Sequence, residues 1–453
     1  MRRIERLKAK NRLGLIFFPA FDWEIDPGHP ERQERLLYTR DQVFEEGLLD
    51  IEGIVEYKPE LASKDDVSRA NICVPDIESV STVSHLISAG AAIKAAELVL
   101  EGKVDKAFAI VRPPGHHAFR VVHGARGFCN INNEAIMVEA IRKKYPDLKI
   151  AFVDTDAHHA DGTQEIFYHD PNVLCISLHQ DGRTLYPGTG FIHELGGPGA
   201  FARTLNIPLP PGTTDEGLLY AVKEFILPVL EDFKPDLVIN SAGQDNHYSD
   251  PLTNMRVSAQ GYARMNDLLD PDLAILQGGY SIETALPYVN VGIILAMAGL
   301  DYTCVREPDY KAEKLQQDRA ISLEIQRTVE WLQKVWEERD RIDLEKIFGK
   351  LDKFYRREKD IYYDTDGISE TQEEKVRICP DCPGYLLLDS TARRAYYRQR
   401  RIYAVTIPRL VCDDCYQEAW AEFEKAHTSN KGNYAYIYLQ DLKKDKYISK
   451  GPF

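Results

Sequence analysis

Asp156 and His158 stand two residues apart in the run DTDAHHADG (154–162). In an extended stretch such residues project to the same side, so a carboxylate and an imidazole can share one cation. A third ligand has to come from another loop, and Asp245, closing the run SAGQD (241–245), is the natural candidate. Two carboxylates and one imidazole leave a position open for water, which marks a catalytic rather than a structural metal site. The competing reading makes these residues caps and turns at strand ends. It would serve for one such motif; it serves poorly for four.

The elements that must position these residues are legible as buried strands. Ala107–Val111, Ile150–Val153, Val173–Leu178, Leu237–Asn240 and Leu273–Leu276 are short, nearly all apolar and rich in β-branched residues. Such runs suit a parallel sheet covered on both faces. Helical patterns at Glu134–Lys144, Asp215–Phe233 and Ser258–Leu269 lie between them, which predicts a doubly wound α/β domain. Arg112–His117, Asp154–Gly162, Ser241–Asp250 and Gln277–Tyr280 each follow a strand directly. Ligands of open α/β sheets bind beyond the carboxyl ends of the strands, so the four segments point to one shared site.

The rest of the chain sets bounds. Its 453 residues predict more than one domain, and 44% hydrophobic with 28% charged residues allow a large core. The longest apolar run, Val291 to Leu300, is too short to cross a bilayer, so no membrane span is expected. No cleavable leader is read at the N-terminus, and a cytoplasmic location is expected. The net charge of −15 argues against general affinity for nucleic acid. Ile321, Ile325, Val329, Leu332 and Trp336 predict an amphipathic helix within 310–348, packed on the body or on a second copy of the chain. The polar stretch at about 356–376 reads as a linker. The expected division is therefore a domain over 1–305, a helix and linker over 306–375, and a small module over 376–453.

That last module contains two CxxC pairs, Cys379 with Cys382 and Cys412 with Cys415. The spacing suits a structural four-cysteine Zn²⁺ site of zinc-ribbon type, with strands at Tyr385–Leu388 and Arg401–Leu410 between the pairs. A redox pair or unmetallated thiols are the alternatives. Tyr396, Tyr397 and Arg393, Arg394, Arg398, Arg400 and Arg401 make a basic aromatic patch, either a partner surface or a solvated face. The other cysteines read as ordinary reduced residues.

RPPGHHA (112–118), GFCN (127–130), DTDAHHADG (154–162), SLH (177–179), YPGTG (186–190), SAGQD (241–245), DPL (250–252) and GGY (278–280) follow one another after GHPERQERL (28–36). In order and spacing this series resembles that of the histone deacetylase family, which includes acetoin-utilisation proteins and acetylpolyamine amidohydrolases. The resemblance implies the arginase–deacetylase fold, an α/β fold with a central parallel sheet of about eight strands. It implies Zn²⁺, with Fe²⁺ as the alternative, on Asp156, His158 and Asp245. His116 and His117 match the tandem active-site histidines, paired with Asp154 and Asp161, and Tyr280 matches the catalytic tyrosine. Gly127 and Phe128 would form one wall of an acyl channel, faced by Tyr186 or Leu185, and Arg35 would line an internal exit tunnel. Asp154, Asp156, His158, Ser177 and Leu178 correspond to a structural K⁺ site. Related arginases carry a further carboxylate two residues past the histidine; Ala160 stands there, so one catalytic metal is expected. The loop acid that grips substrate in many members has no clear counterpart, though Asp76 and Glu78 lie nearby in sequence.

The chemistry so implied is hydrolysis of the acetyl-amide of acetyl-lysine or a small N-acetylated amine. Acetylpolyamine hydrolysis is the alternative of the same chemistry. A non-catalytic acetyl-lysine binding module is the alternative of another class, and it should have lost an essential residue. None of the ligands, histidines or Tyr280 is missing.

Overall fold

The computed structural model describes residues 7–394 and 399–452, apart from the side chain of Lys314. Tyr396, Tyr397 and Arg398 of the basic aromatic patch lie outside the described residues. The strands are β1 (Lys8–Phe18), β2 (Glu52–Tyr57), β3 (Ile72–Cys73), β4 (Lys106–Val111), β5 (Val121–Val122), β6 (Ile150–Asp154), β7 (Val173–Gln180), β8 (Thr204–Leu209), β9 (Leu237–Ala242) and β10 (Leu273–Leu276). Six more follow: β11 (Phe354–Tyr363), β12 (Ile368–Arg377), β13 (Leu386–Arg394), β14 (Arg400–Ile407), β15 (Tyr436–Asp441) and β16 (Lys446–Lys450).

Eight strands form one sheet in the order β2-β1-β4-β10-β9-β6-β7-β8, parallel throughout. Every residue of β4, β6, β7 and β10 is buried, as their largely apolar runs require. The five strands expected from sequence are all present in it. Those not anticipated are β1, which starts polar, and the edge strands β2 and β8. Pro208 sits in β8, where the missing N–H is tolerated because an edge strand has a partner on one side alone.

Helices cover both faces. Val83–Leu100 is the one described helix long and apolar enough to cross a bilayer, and more than half of it is buried in the core. The amphipathic helix runs from Arg319 to Glu338, capped by Asp318, whose side chain accepts from the Ala320 N–H. Its residues Ile325, Val329, Leu332 and Trp336 are buried, and Ile321 packs against the same core. This face, expected on the body or on a second copy, packs on the body of its own chain.

The C-terminal unit is larger than its cysteine spacing suggested. β11 to β16 form a six-stranded sheet in sequence order. All neighbours are antiparallel except β14 and β15, which are parallel and joined through the helix Asp413–Ser429. The two strands expected between the cysteine pairs are β13 and β14, which pair antiparallel. The stretch read as a linker is instead the hairpin β11–β12, so this unit begins near Phe354 rather than at 376. Composition misled because the inward positions of β12 alternate as Ile368, Glu370, Gln372, Glu374 and Val376, with polar residues in the middle. Each of those polar residues finds partners. Glu370 accepts from Tyr363 Oη (2.7 Å) and Ser390 Oγ (2.6 Å). Glu374 meets His169 Nε2 (2.7 Å) and Lys359 Nζ (2.8 Å), and Lys359 also reaches Glu165 of the body (2.8 Å).

Lys359 therefore joins two buried carboxylates from the two halves of the molecule. Burial opposes their ionisation, but the facing cations outweigh it and hold both below the usual carboxylate range, Glu374 furthest. A depressed folded-state pKa stabilises above the unfolded value and loses that contribution as pH falls. Lys359→Met should cost about 3–5 kcal/mol at neutral pH, because it strands buried charge. Denaturant unfolding should show the deficit shrink as pH drops below about 4.5, the ordinary glutamate value. A deficit independent of pH would contradict this account.

Candidate active site

Strand order explains why distant motifs meet. β4, β10, β9 and β6 are neighbours, and their carboxyl ends carry Arg112–His117, Gln277–Tyr280, Gly243–Asp245 and Asp154–Asp161. In register, Asp154 of β6 lies beside Ser177 of β7 and Ser241 of β9.

Asp156, His158 and Asp245 converge: one ligand atom from each lies within 4.8 Å of the others. His158 Nδ1 is 3.0 Å from Asp156 Oδ1 and 2.9 Å from Asp245 Oδ2. Main-chain donors hold the carboxylates from behind. Gly278 N–H donates to Asp156 Oδ2 (2.6 Å) and Ala157 N–H to Asp245 Oδ1 (2.7 Å). A Cβ on Gly278 would sit 2.3 Å from Asp245 Oδ2 and 2.5 Å from Asp156 Oδ2. Glycine there keeps open the space between two buried carboxylates. Two carboxylate oxygens and an imidazole nitrogen facing that space fit a divalent transition-metal ion.

The tandem histidines lie beside this centre, their rings 4.1 Å apart. His116 Nδ1 contacts Asp154 Oδ2 (3.1 Å), and His117 Nδ1 contacts Asp161 Oδ1 (2.8 Å). The expected pairings are thus the ones the structure brings together. The two rings are tuned apart. Burial disfavours charge on both, but the carboxylates of Asp156 and Asp154 push His116 up to about 9. His117 drops to about 3 through burial and then the neighbouring His116. Tyr280 is buried, and its phenol is pushed well above the ordinary value by that burial, so it stays a donor.

Phe128 stands 5.5 Å from Tyr280 ring to ring, and Tyr186 stands 5.3 Å from His117. Tyr186, rather than Leu185, is the aromatic facing this space, since Leu185 packs against the main core. Arg35 is fully buried behind Tyr280, with its guanidinium carbon 4.9 Å from the ring centroid. Its Nε donates to Gly279 O (2.8 Å), its Nη1 to Glu31 (2.7 Å) and its Nη2 to Gln277 O. Of the potassium set, Asp154, Asp156, Ser177 and Leu178 are buried around the ends of β6 and β7. His159 is a structural residue, its ring nitrogens taken by Thr189 and Gln164 at 2.8 Å. Asp76 caps the short helix Ile77–Val80, and Glu78 pairs with Lys64.

Sequence reasoning missed several participants. Arg126 forms an ion pair with Asp161 (2.5 Å) behind His117, and no spacing pattern announced it. Asp250 accepts from the Tyr280 N–H (2.7 Å); it lay in the quoted DPL run without a role. Glu31 bridges Arg35 and Arg112 at 2.7 Å to each, all three with fully buried side chains. His29 packs edge-on against Phe128 at 4.3 Å.

A parallel α/β sheet with this carboxylate–imidazole centre and its paired histidines defines a metal-dependent hydrolase of the arginase–deacetylase fold. Residues 49–291 match the family model for the histone deacetylase domain. The chain is 45% identical over 339 residues to "Probable deacetylase" of Archaeoglobus fulgidus, covering 68% of this chain and 93% of that protein. It is 31% identical to the acetoin utilization protein AcuC of Bacillus subtilis, over 63% of this chain and 82% of that one. The solved HDA15 HD domain superposes with a TM-score of 0.62 at 26% identity, covering 75% of this chain and 99% of that domain. The chain belongs to the histone deacetylase family, a family of hydrolytic deacetylases.

Gly278→Ala should drive the Asp156 and Asp245 carboxylates apart. The variant is expected to fold, with metal affinity reduced by at least about tenfold on a loss of 1.4 kcal/mol or more. An unchanged metal dissociation constant, measured by competition with a chelator, would contradict the role given to this glycine.

Proposed function

We propose that this protein is a zinc-dependent deacetylase acting on the acetyl-amide of acetyl-lysine or a related N-acetylated amine. One observation carries the reading: three buried ligands converge at strand ends with His117 and Tyr280 beside them. Asp156, His158 and Asp245 would hold the ion. The chemistry gained with Zn²⁺ bound is polarisation of the amide carbonyl and acidification of water.

The chain's own groups do the rest. His117 gives its Nδ1–H to Asp161, which leaves Nε2 free to take a proton from water and return it to the departing amine. Arg126 and Asp161 fix that tautomer and ring orientation. His116, held by Asp154, tunes the field beside it. Tyr280 donates its O–H to the carbonyl oxygen as negative charge develops there. Asp250 and Arg35 hold the main chain around Tyr280 from the far side. Gly127, Phe128 and Tyr186 wall the approach for a thin aliphatic chain. Asp154, Asp156, His158, Ser177 and Leu178 would take K⁺, mostly through main-chain oxygens.

Tyr280→Phe should lower kcat by about 10²–10³, the usual cost of one oxyanion donor, with metal content unchanged. Assays with an acetyl-lysine peptide and an acetylated polyamine side by side decide between substrate classes. Turnover of neither by metal-loaded protein would overturn the reading.

The C-terminal sheet is proposed to hold a second, structural Zn²⁺. The ligand sulfurs of Cys379, Cys382, Cys412 and Cys415 lie within 4.8 Å of one another. Gly384 N–H donates to Cys382 Sγ (3.3 Å) and Cys415 N–H to Cys412 Sγ (3.5 Å), contacts that favour thiolates. Four sulfurs leave no position for substrate, which suits a structural role. Cys412→Ala should lose about one zinc per chain and keep the catalytic ion. Unchanged stoichiometry would rule out the four-cysteine site.

A further inference from the structure

The Gly127–Phe128 turn is unusual in its backbone. Arg126 and Cys129 exchange both main-chain hydrogen bonds at 2.9 Å, so Gly127 and Phe128 are the two central residues of a tight hairpin. Both have positive φ, +52° and +68°. That is the type I′ conformation, which favours Asn-Gly and leaves a bulky residue strained. The strain presents Phe128 to His29 and Tyr280. Such a conformation persists only where its surroundings over-determine it.

The surroundings that do so come from the other end of the chain. The tip of the β11–β12 hairpin, Asp364 to Gly367, lies against this segment. Asp364 Oδ1 accepts from Gly127 N–H at 2.9 Å, and Asp366 Oδ2 accepts from Ala125 N–H at 2.7 Å. Two carboxylates on alternate residues thus take two alternate amides. The fit is close, since a Cβ on Gly124 would lie 2.5 Å from Asp366 Oδ2. The same Asp364 oxygen accepts from Tyr186 Oη at 3.3 Å. Both channel walls are therefore tied to one oxygen atom. Tyr363, next to Asp364, is buried; its O–H goes to Glu370, and its Oη sits 3.1 Å from Val121 O, which seats the base of the tip against the body.

We propose that Asp364 is a positioning residue for substrate entry: from the C-terminal sheet it holds the Gly127–Phe128 turn and Tyr186 in the geometry that receives the acetylated chain. The inference rests on the deacetylase reading for its kinetic consequence and on geometry alone for its structural one. Asp364 is exposed, so its replacement spares the core.

Two measurements on metal-loaded full-length protein test it. Asp364→Ala should raise KM for an acetyl-lysine peptide by about tenfold, the scale of a lost hydrogen bond to a charged group, with kcat changed much less. Asp364→Asn keeps an acceptor oxygen and should recover most of the KM. Arg401→Ala breaks an ion pair with Asp389 elsewhere on the same sheet and should leave KM as in the wild type. Hydrogen exchange in the peptide spanning 123–130 should quicken in Asp364→Ala and not in Arg401→Ala. An unchanged KM with unchanged exchange overturns the proposal, as does an Arg401→Ala effect equal to that of Asp364→Ala. A wild type that turns over no acetylated amine, with exchange still quickened in Asp364→Ala, sinks the deacetylase reading and leaves the clamp standing.

Discussion

Two carboxylates with almost no solvent access face each other across one imidazole, and the rest of the molecule is arranged around that constraint. Like charges so close in a dry interior cannot both be ionised without a compensating cation. Among the described residues the ion-pair partners of Asp156 and Asp245 are imidazoles, His116 and His158, rather than Lys or Arg. Burial and then Asp156 push Asp245 up to about 6, while His158 draws both carboxylates toward itself. Glycine at 278 forbids a side chain from filling the gap, and glycine at 243 lets Asp156 come close, where a Cβ would lie 2.3 Å from it. Glycine at both positions leaves space beside the two carboxylates and the imidazole, an arrangement that fits a divalent ion.

From that centre, a chain of polar contacts runs outward. His117 rests on Asp161, and Asp161 rests on Arg126. The Arg126 guanidinium lies 4.6 Å from the Phe119 ring and 5.6 Å from the Tyr186 ring. Each group is oriented by the next, so the His117 imidazole is held in one attitude. Asp154 serves two neighbours, meeting His116 through one oxygen and the Asp156 N–H through the other. Asp156 and His116 are therefore positioned by one side chain.

The parts of this design that were legible in sequence share a physical signature. Central strands such as Ile150–Asp154 are buried on both faces, so their apolar runs are unbroken and stand out. The residues at their ends are polar against that background, and the site was readable for the same reason. What stayed hidden obeys rules that composition does not display. β8 carries Asn206 and Pro208 because it is an edge. β12 alternates correctly with period two, but its middle buried positions are Glu370, Gln372 and Glu374, which composition scores as solvent-facing. Arg126 and Asp364 act through contacts between segments far apart in the chain, and no local spacing encodes such a meeting.

The polar character of that hidden interface has a consequence for the site. Apolar faces tolerate sliding, because dispersion and burial are indifferent to small shifts in register. A hydrogen-bonded ladder is not, since a slip by one residue turns every inward side chain of a strand outward. Ser390 on His123 (2.8 Å), Glu374 on His169, Lys359 on Glu165, and Asp445 on Arg69 (2.8 Å) each fix the C-terminal sheet against the body at a separate point. With those points set, the tip of the β11–β12 hairpin has one place to go, against the amides of Ala125 and Gly127. A buried polar seam lets a sheet appended to the catalytic fold define the shape of its entrance.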